Sequence, residues 1–271
     1  EIMGARQHKQ IVASFVDKHW TSELDGWGNK INIGRMPNIE STTKTPGTAW
    51  DPYVYTDTEQ EITVNLYEVT GFKLEAITKR LANPTWEAQM TQTMGYSLGM
   101  AVETTVVGKF QSFSQTVGTA GVEVSWDNLL SAWTYHQNAA VTEKSAFFFS
   151  VETVAGLMKQ DEFINAQYRG EKGPRAIEQA YMADILNSKV YQVPYLRSAA
   201  AGQHDNALMC SCSIALVMAQ APKMFTQFVA ADIADVVGAY QIYGCQEMNR
   251  YSPTTGNITA TDEDAVLVYG K

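Results

Sequence analysis

A chain of 271 residues is long enough to bury a sizeable core, in one large or two ordinary domains. Its net charge of −9, with 20 basic residues that are scattered rather than clustered, argues against broad nucleic-acid binding, which needs a basic stripe to displace counterions. Hydrophobic residues make up 45%, aromatic residues 11% and charged residues only 18%. A body that stays solitary in water would wet more of its surface, so this composition points to extensive self-association. No apolar run reaches the length of a membrane span, about 18 residues, and no signal peptide is visible. The opening on Glu1 fits either a leading segment removed by a protease or a longer parent chain. Cys210, Cys212 and Cys245 are an odd number of cysteines in a long chain, which fits two packed thiols in a reducing cytoplasm better than a disulfide framework.

In chain order, residues 5–24 have helical spacing, with Ile11, Phe15 and Trp20 on one face and Gly26 and Gly28 as the stop. Lys30, Ile31, Asn32 and Ile33 form a short strand ended by Gly34 and Pro37, and residues 40–47 have loop chemistry. Residues 50–55 and 61–75 are expected to be the two arms of an extended hairpin. Ile62, Val64 and Leu66 share one face, and Glu61, Thr63, Asn65 and Tyr67 share the other. A lone hairpin is marginal in water, so the ribbon calls for a surface supplied by another copy of the chain.

Asn83 and Pro84 cap and open one long helix. It carries Trp86, Met90, Met94, Leu98, Val102, Val106 and Phe110 at intervals of four. That interval drifts by about 40° per step against the 3.6-residue turn, so the apolar stripe winds around the helix and meets different neighbours. Gly95 and Gly99 weaken such a helix by roughly 1 kcal/mol each relative to Ala, unless something packs close there. A second helix is predicted over residues 125–137, with Leu129, Leu130 and Trp133 inward. Residues 145–151, with three consecutive phenylalanines, make a strand covered on both faces. Helical spacing resumes over 152–168, and 169–175 is a charged Gly/Pro-rich loop. Residues 185–193 follow as a strand. Ala207, Leu208, Met209 and Cys210 begin as strand and pass into a predicted helix bearing Ile214, Val217 and Met218. Residues 230–244 are mixed, and 265–269 close the chain as an apolar strand. Strands and helices without regular alternation predict an α+β fold.

Catalytic chemistry is not marked. His8, His19, His136 and His204 have no metal-binding spacing, and Cys210 with Cys212 alone leaves a zinc site half built. His204 and Asp205 are adjacent, and neighbours in sequence rarely face each other as a base and its orienting carboxylate. Gly95 to Gly99 lies in a helical pattern and lacks the Lys-Ser or Lys-Thr of a phosphate loop. No catalytic, cofactor-binding or metal residue is assigned.

The order of these parts resembles the major capsid proteins of tailed bacteriophages, over essentially the whole chain. An arm through Trp20 and Ile33, a hairpin and a long helix with Tyr96, Ala101, Val102, Glu103 and Val106 are similar to that family's N-terminal arm, extended loop and spine helix. Residues 173–190, the segment from Asn206 to Ala219, and the strands at Tyr240–Gly244 and Ala265–Val268 resemble its later parts. The resemblance implies an N-terminal arm at 1–39, an extended β-hairpin loop at 40–78, and a peripheral domain with the spine helix at 79–145. A mainly axial domain at 146–235 and a return to the peripheral domain at 236–271 complete it.

It also implies a structural, non-enzymatic shell protein without cofactors, forming the pentamers and hexamers of an icosahedral head around double-stranded DNA. Assembly would take place in the host cytoplasm, and the product would be the virion capsid. Portal and scaffolding proteins are the implied partners, decoration proteins are allowed, and no membrane or sequence-specific DNA binding is implied. Intersubunit contacts are expected at Tyr53, Tyr55 and Tyr67. The acidic tip Asp57, Glu59 and Glu61 is expected to meet Arg169, Lys172 and Arg175 of a neighbour. An encapsulin-like protein-cargo compartment is the alternative within the class, and a cytosolic α+β enzyme the alternative outside it.

Overall fold

The computed structural model describes residues 7–24, 28–35, 41, 43–50, 52, 58–75, 77, 85–160, 184–196, 203–249 and 264–270. The architecture is α+β. Among the described residues, four helices, α1 (Val12–Phe15), α2 (Thr85–Gly108), α3 (Trp126–Asn138) and α4 (Val151–Leu157), accompany strands in three sheets. Two compact units divide the chain: Glu1–Ile31 with Ile62–Gly108 and Ala215–Gln246, and Asn32–Glu61 with Lys109–Ile214 and Glu247–Lys271.

In the first unit the long helix α2 lies under a three-stranded antiparallel sheet. Strands β3 (Leu66–Glu75), β9 (Ile214–Val229) and β10 (Ala234–Glu247) stand in the order β3-β10-β9. The pairing of Tyr240 with Val69 and of Ile242 with Tyr67 sorts the side chains by face. Leu74, Val237, Ala239, Gln241 and Tyr243 are buried, and the Gln241 amide donates to the Leu98 carbonyl of α2 at 2.8 Å. Tyr67 and Val69 point the other way. Along α2, Met94, Leu98, Val102 and Val106 are all buried, so the winding stripe predicted from four-residue spacing is the helix's packed surface. The cap predicted at Asn83 and Pro84 lies outside the described residues.

The second unit is built on a six-stranded mixed sheet in the order β4-β11-β8-β5-β7-β6. Its strands are β4 (Gln115–Val117), β5 (Ser145–Phe149), β6 (Asp184–Ile185), β7 (Ser188–Gln192), β8 (His204–Cys210) and β11 (Ala265–Gly270). The phenylalanines of β5 fill both sides, as alternation demands. Phe147 and Phe149 join Leu129, Leu157, Leu208 and Val266 in one core, while Phe148 stacks on Tyr191 and meets Phe110. The Ser125 hydroxyl caps α3 by accepting from Asn128 N–H, and Ser150 caps α4 by accepting from Thr153 N–H. Between β6 and β7, Leu186 and Asn187 both have positive φ, 49° and 62°, the backbone of a tight two-residue hairpin.

Several expectations are corrected. The N-terminal helix is one turn, α1, followed by a 3-10 turn at His19–Glu23, because backbone donors there are taken by a side chain from α2. Of the predicted hairpin arms, 50–55 lies largely outside the described residues, and 61–75 divides between two sheets. Strand β2 (Thr58–Thr63) pairs with β1 (Lys30–Arg35), whereas Leu66–Glu75 belongs to the β3-β10-β9 sheet. One face of that stretch is therefore covered within its own chain, while Tyr67 and Val69 on the other face stay exposed. Ser213 to Ala219, predicted as helix, is the start of the 16-residue strand β9, since pairing in a sheet overrides the helical propensity of Ala, Leu and Met. Leu130, predicted inward, is exposed on α3.

Candidate assembly surface

The N-terminal segment is fastened to α2 by a line of three helix positions. Tyr96 accepts the His8 N–H at 3.1 Å through its hydroxyl, Gly99 leaves room for the side chain of Gln10, and Glu103 faces the start of α1. These positions are spaced i, i+3, i+7, one stripe of a helix. Glu103 is fully buried, and its carboxylate accepts the backbone N–H groups of Ile11 at 2.8 Å, Val12 at 2.6 Å and Ala13 at 2.8 Å. A helix start leaves such donors without intrahelical partners, and an anion is the strongest acceptor for them. The segment then runs on to β9, where Leu216 N–H donates to the Asp17 carbonyl at 2.8 Å.

On the outer face of the three-stranded sheet, aromatic rings form a band across the strands. Tyr67 of β3 meets Tyr240 of β10 edge-on at 5.9 Å, and Tyr240 lies 6.3 Å from Phe225 of β9. Gly71 and Gly238 pair directly opposite each other, and the Phe225 ring lies over the bare Gly238. Beyond it β9 is an edge strand exposed on both faces through residues 221–228. Phe228 is 59% and Tyr67 62% exposed, so the band is a large apolar surface open to water. Its turn carries Ile233 at φ 46°, and Lys73 pairs with Asp232 at 2.7 Å.

Of the predicted contact residues, Tyr67 belongs to this band, and Glu59 and Glu61 are exposed on β2. Tyr53, Tyr55, Asp57, Arg169, Lys172 and Arg175 lie outside the described residues. The base of β2 is tied within the chain: the Gln60 amide donates to the Glu247 carbonyl at 2.5 Å and accepts from Asn249 N–H at 3.1 Å.

Groups that might have carried catalysis take structural roles. His204 faces Glu152 at 3.3 Å, whereas Asp205 accepts from Gln111 at 2.7 Å, so the adjacent pair points to different partners. His136 is buried, with Nε2 donating to the Asp264 carbonyl at 3.2 Å. Burial lowers its pKa below 6.5, against the opposing pull of that carbonyl and of Glu143. Cys210 and Cys212 are not packed free thiols: they are joined in a disulfide at the turn after β8, where the tight Cys-Ser-Cys spacing brings the sulfurs together. Cys245 is buried and outside any disulfide. No helix among the described residues is long and apolar enough to cross a membrane.

Glu103's hold on the N-terminal segment would have been detectable in the sequence as a carboxylate set within an apolar helical stripe, between Val102 and Val106. The aromatic band has no such signal, because Tyr67 and Phe225 come together only through β10.

No family model matches the sequence, and no curated protein matches it. Solved structures do match. A Mycobacterium phage Che8 structure superposes with TM-score 0.80 at 11% identity, covering 99% of this chain and 94% of that one. The head structure of Helicobacter pylori bacteriophage KHP40 gives 0.77 at 11% identity over 100% and 94%, and the capsid of cyanophage P-SCSP1u gives 0.72 at 13% over 99% and 90%. The chain thus has the α+β fold of tailed-phage major capsid proteins.

Proposed function

We propose that this chain is a structural shell protein that assembles with itself into the pentamers and hexamers of an icosahedral phage head enclosing double-stranded DNA. The observation that carries the reading is the fold likeness to phage capsids over nearly the full length of both partners. The open aromatic band and the exposed stretch 221–228 of the edge strand β9 support it, because a sheet edge and a large apolar face in one place suit contact with further copies.

The function is interface chemistry rather than bond making. Each exposed contact contributes little, about 0–1 kcal/mol for an ion pair, and repetition around a closed shell makes the sum large while single errors stay reversible. Tyr53, Tyr55 and Tyr67 act as aromatic contacts, and Asp57, Glu59 and Glu61 pair with Arg169, Lys172 and Arg175 of a neighbour. A net charge of −9 suits a wall that contains DNA without gripping it. Portal and scaffolding proteins are the further partners, and the host cytoplasm is the place of assembly.

Negative-stain electron microscopy of the purified chain tests the class, with closed particles as the expected result. A chain that remains a monomer at high concentration would overturn it. Nuclease-protected DNA inside the particles is expected; a protein cargo in its place would assign the chain to an encapsulin-like compartment.

A further inference from the structure

Asp264 stands one residue before β11, whose Ala265 pairs with Met209 of β8. This register brings Asp264 beside the end of β8, where Cys210 N–H donates to the Asp264 carbonyl at 3.1 Å. The sulfurs of Cys210 and Cys212 and a carboxylate oxygen of Asp264 all lie within 4.8 Å of one another. All three residues are buried, at 0%, 9% and 6% exposure. Once the S–S bond is reduced, the two sulfurs are free to separate to the roughly 3.8 Å that two ligands at about 2.3 Å span on a tetrahedral zinc ion, with the Asp264 oxygen within reach of the same centre.

The turn that presents them is held by its own backbone. Ser211 N–H donates to the Lys144 carbonyl at 3.1 Å, the Ser213 hydroxyl donates to the Cys210 carbonyl at 2.6 Å, and Cys212 N–H points at Cys210 Sγ at 3.2 Å. Chemistry adds a second reason. Two thiolates and a carboxylate together form the anionic donor set that a thiophilic divalent cation requires.

We propose that the reduced chain binds one thiophilic divalent cation of the Zn²⁺ class through Cys210 Sγ, Cys212 Sγ and the Asp264 carboxylate, with water as the fourth ligand. The Cys210–Cys212 disulfide is the oxidised, metal-free form of the same site. A peroxide converts the reduced form into the oxidised one, and a thiol or phosphine reductant returns it. Each thiolate gives up one electron and the S–S bond forms. The O–O bond of hydrogen peroxide breaks, taking two electrons and two protons to give two waters, and the cation leaves hydrated.

The test uses the full chain, reduced with a phosphine and titrated with Co²⁺. One cobalt per chain is expected, with a sulfur-to-cobalt charge-transfer band that Zn²⁺ displaces and hydrogen peroxide discharges as two thiols disappear. The band should persist in C245A and vanish in the C210S/C212S double variant. D264N, which keeps the thiols and the shape, should retain the band and lose more than about tenfold in cobalt affinity, since even outer-shell partners are worth that much. Absence of the band in the reduced chain, its loss in C245A, or unchanged affinity in D264N would each overturn the proposal. Circular dichroism checks that the double variant folds, and D264N with C245A decides the matter if it does not. Particle formation is scored separately, so failure of the metal site leaves the shell reading standing.

Discussion

Glu103 and Val12 are 91 positions apart, and the carboxylate of one accepts the backbone N–H of the other at 2.6 Å in the buried interior. With Ile11 and Ala13 on the same carboxylate, one side chain of α2 does what a local cap does for an ordinary helix start. Glu103→Ala would bury three donors without their acceptor, at roughly 1–3 kcal/mol each, so a loss of about 3 kcal/mol or more is expected in denaturant unfolding. Glu103→Gln keeps one acceptor oxygen and should cost less. Hydrogen exchange localises the effect, because Ile11, Val12 and Ala13 should lose protection before α2 does. Unchanged protection at these amides in Glu103→Ala would refute the anchoring role.

Gly71 and Gly238 face each other across β3 and β10, and they should respond differently to an added methyl group. A Cβ at Gly71 would stand 2.9 Å from the Val237 carbonyl oxygen and 3.2 Å from Gly238 Cα, so main chain must move. Gly71→Ala is expected to destabilise by about 1–3 kcal/mol, the usual range for overpacking. The three atoms nearest to a Cβ at Gly238 all belong to the ring of Phe225, which can swing aside. Gly238→Ala should therefore leave the melting temperature nearly unchanged while breaking up the aromatic band and lowering particle yield. Equal thermal effects for the two variants would contradict this geometry.

Tyr243 is fully buried, and its hydroxyl shares a hydrogen bond with the Thr105 hydroxyl at 3.0 Å. Burial raises its pKa above 10.0, with the Thr105 hydrogen bond opposing and the charges of Glu68 and Cys245 adding to the rise. Above pH 10 the unfolded chain ionises this phenol while the folded chain keeps it neutral. Its contribution is therefore complete below that pH and is lost as pH rises towards the folded value, at about 1.4 kcal/mol per pH unit. Tyr243→Phe should be less stable at neutral pH by about 0.5–1.5 kcal/mol and should show a flatter alkaline limb in pH-dependent unfolding. Parallel limbs for the two proteins would remove Tyr243 from the explanation.

Reversing Asp57, Glu59 and Glu61 to Lys should impair assembly and spare folding. Glu59 and Glu61 are exposed on β2, where single charges have little effect on the stability of one chain. The same contacts repeated over a shell are multiplied. Circular dichroism and melting should match the parent, while light scattering shows particle yield falling more than about tenfold. Normal particles from this variant would eliminate the acidic tip as a contact.

What was readable in the sequence follows from how local each signal is. The run Phe147, Phe148 and Phe149 announces a doubly covered strand by itself, and the four-residue rhythm from Met94 to Val106 announces a winding buried stripe. By contrast, the partner of Leu66–Glu75 lies on β10, far along the chain, and no local pattern names it. The same distance hides the aromatic band, since Tyr67 and Phe225 are aligned only by Tyr240. Ile214, Val217 and Met218 read as helix because their spacing allows it, and pairing in the sheet decides otherwise. Asp264 gave no hint of its place beside Cys210 and Cys212, which depends on the register of β11 against β8.

The span between Val12 and Glu103 has a consequence during synthesis. Translation at about 5–20 residues per second leaves Val12 waiting roughly 5–18 s after it is made before its carboxylate exists at all. Throughout that interval the leading segment is accessible to whatever else the cell offers, a chaperone or a protease included. The ribosome's pace thus sets a minimum age below which no copy can have the backbone around Val12 secured.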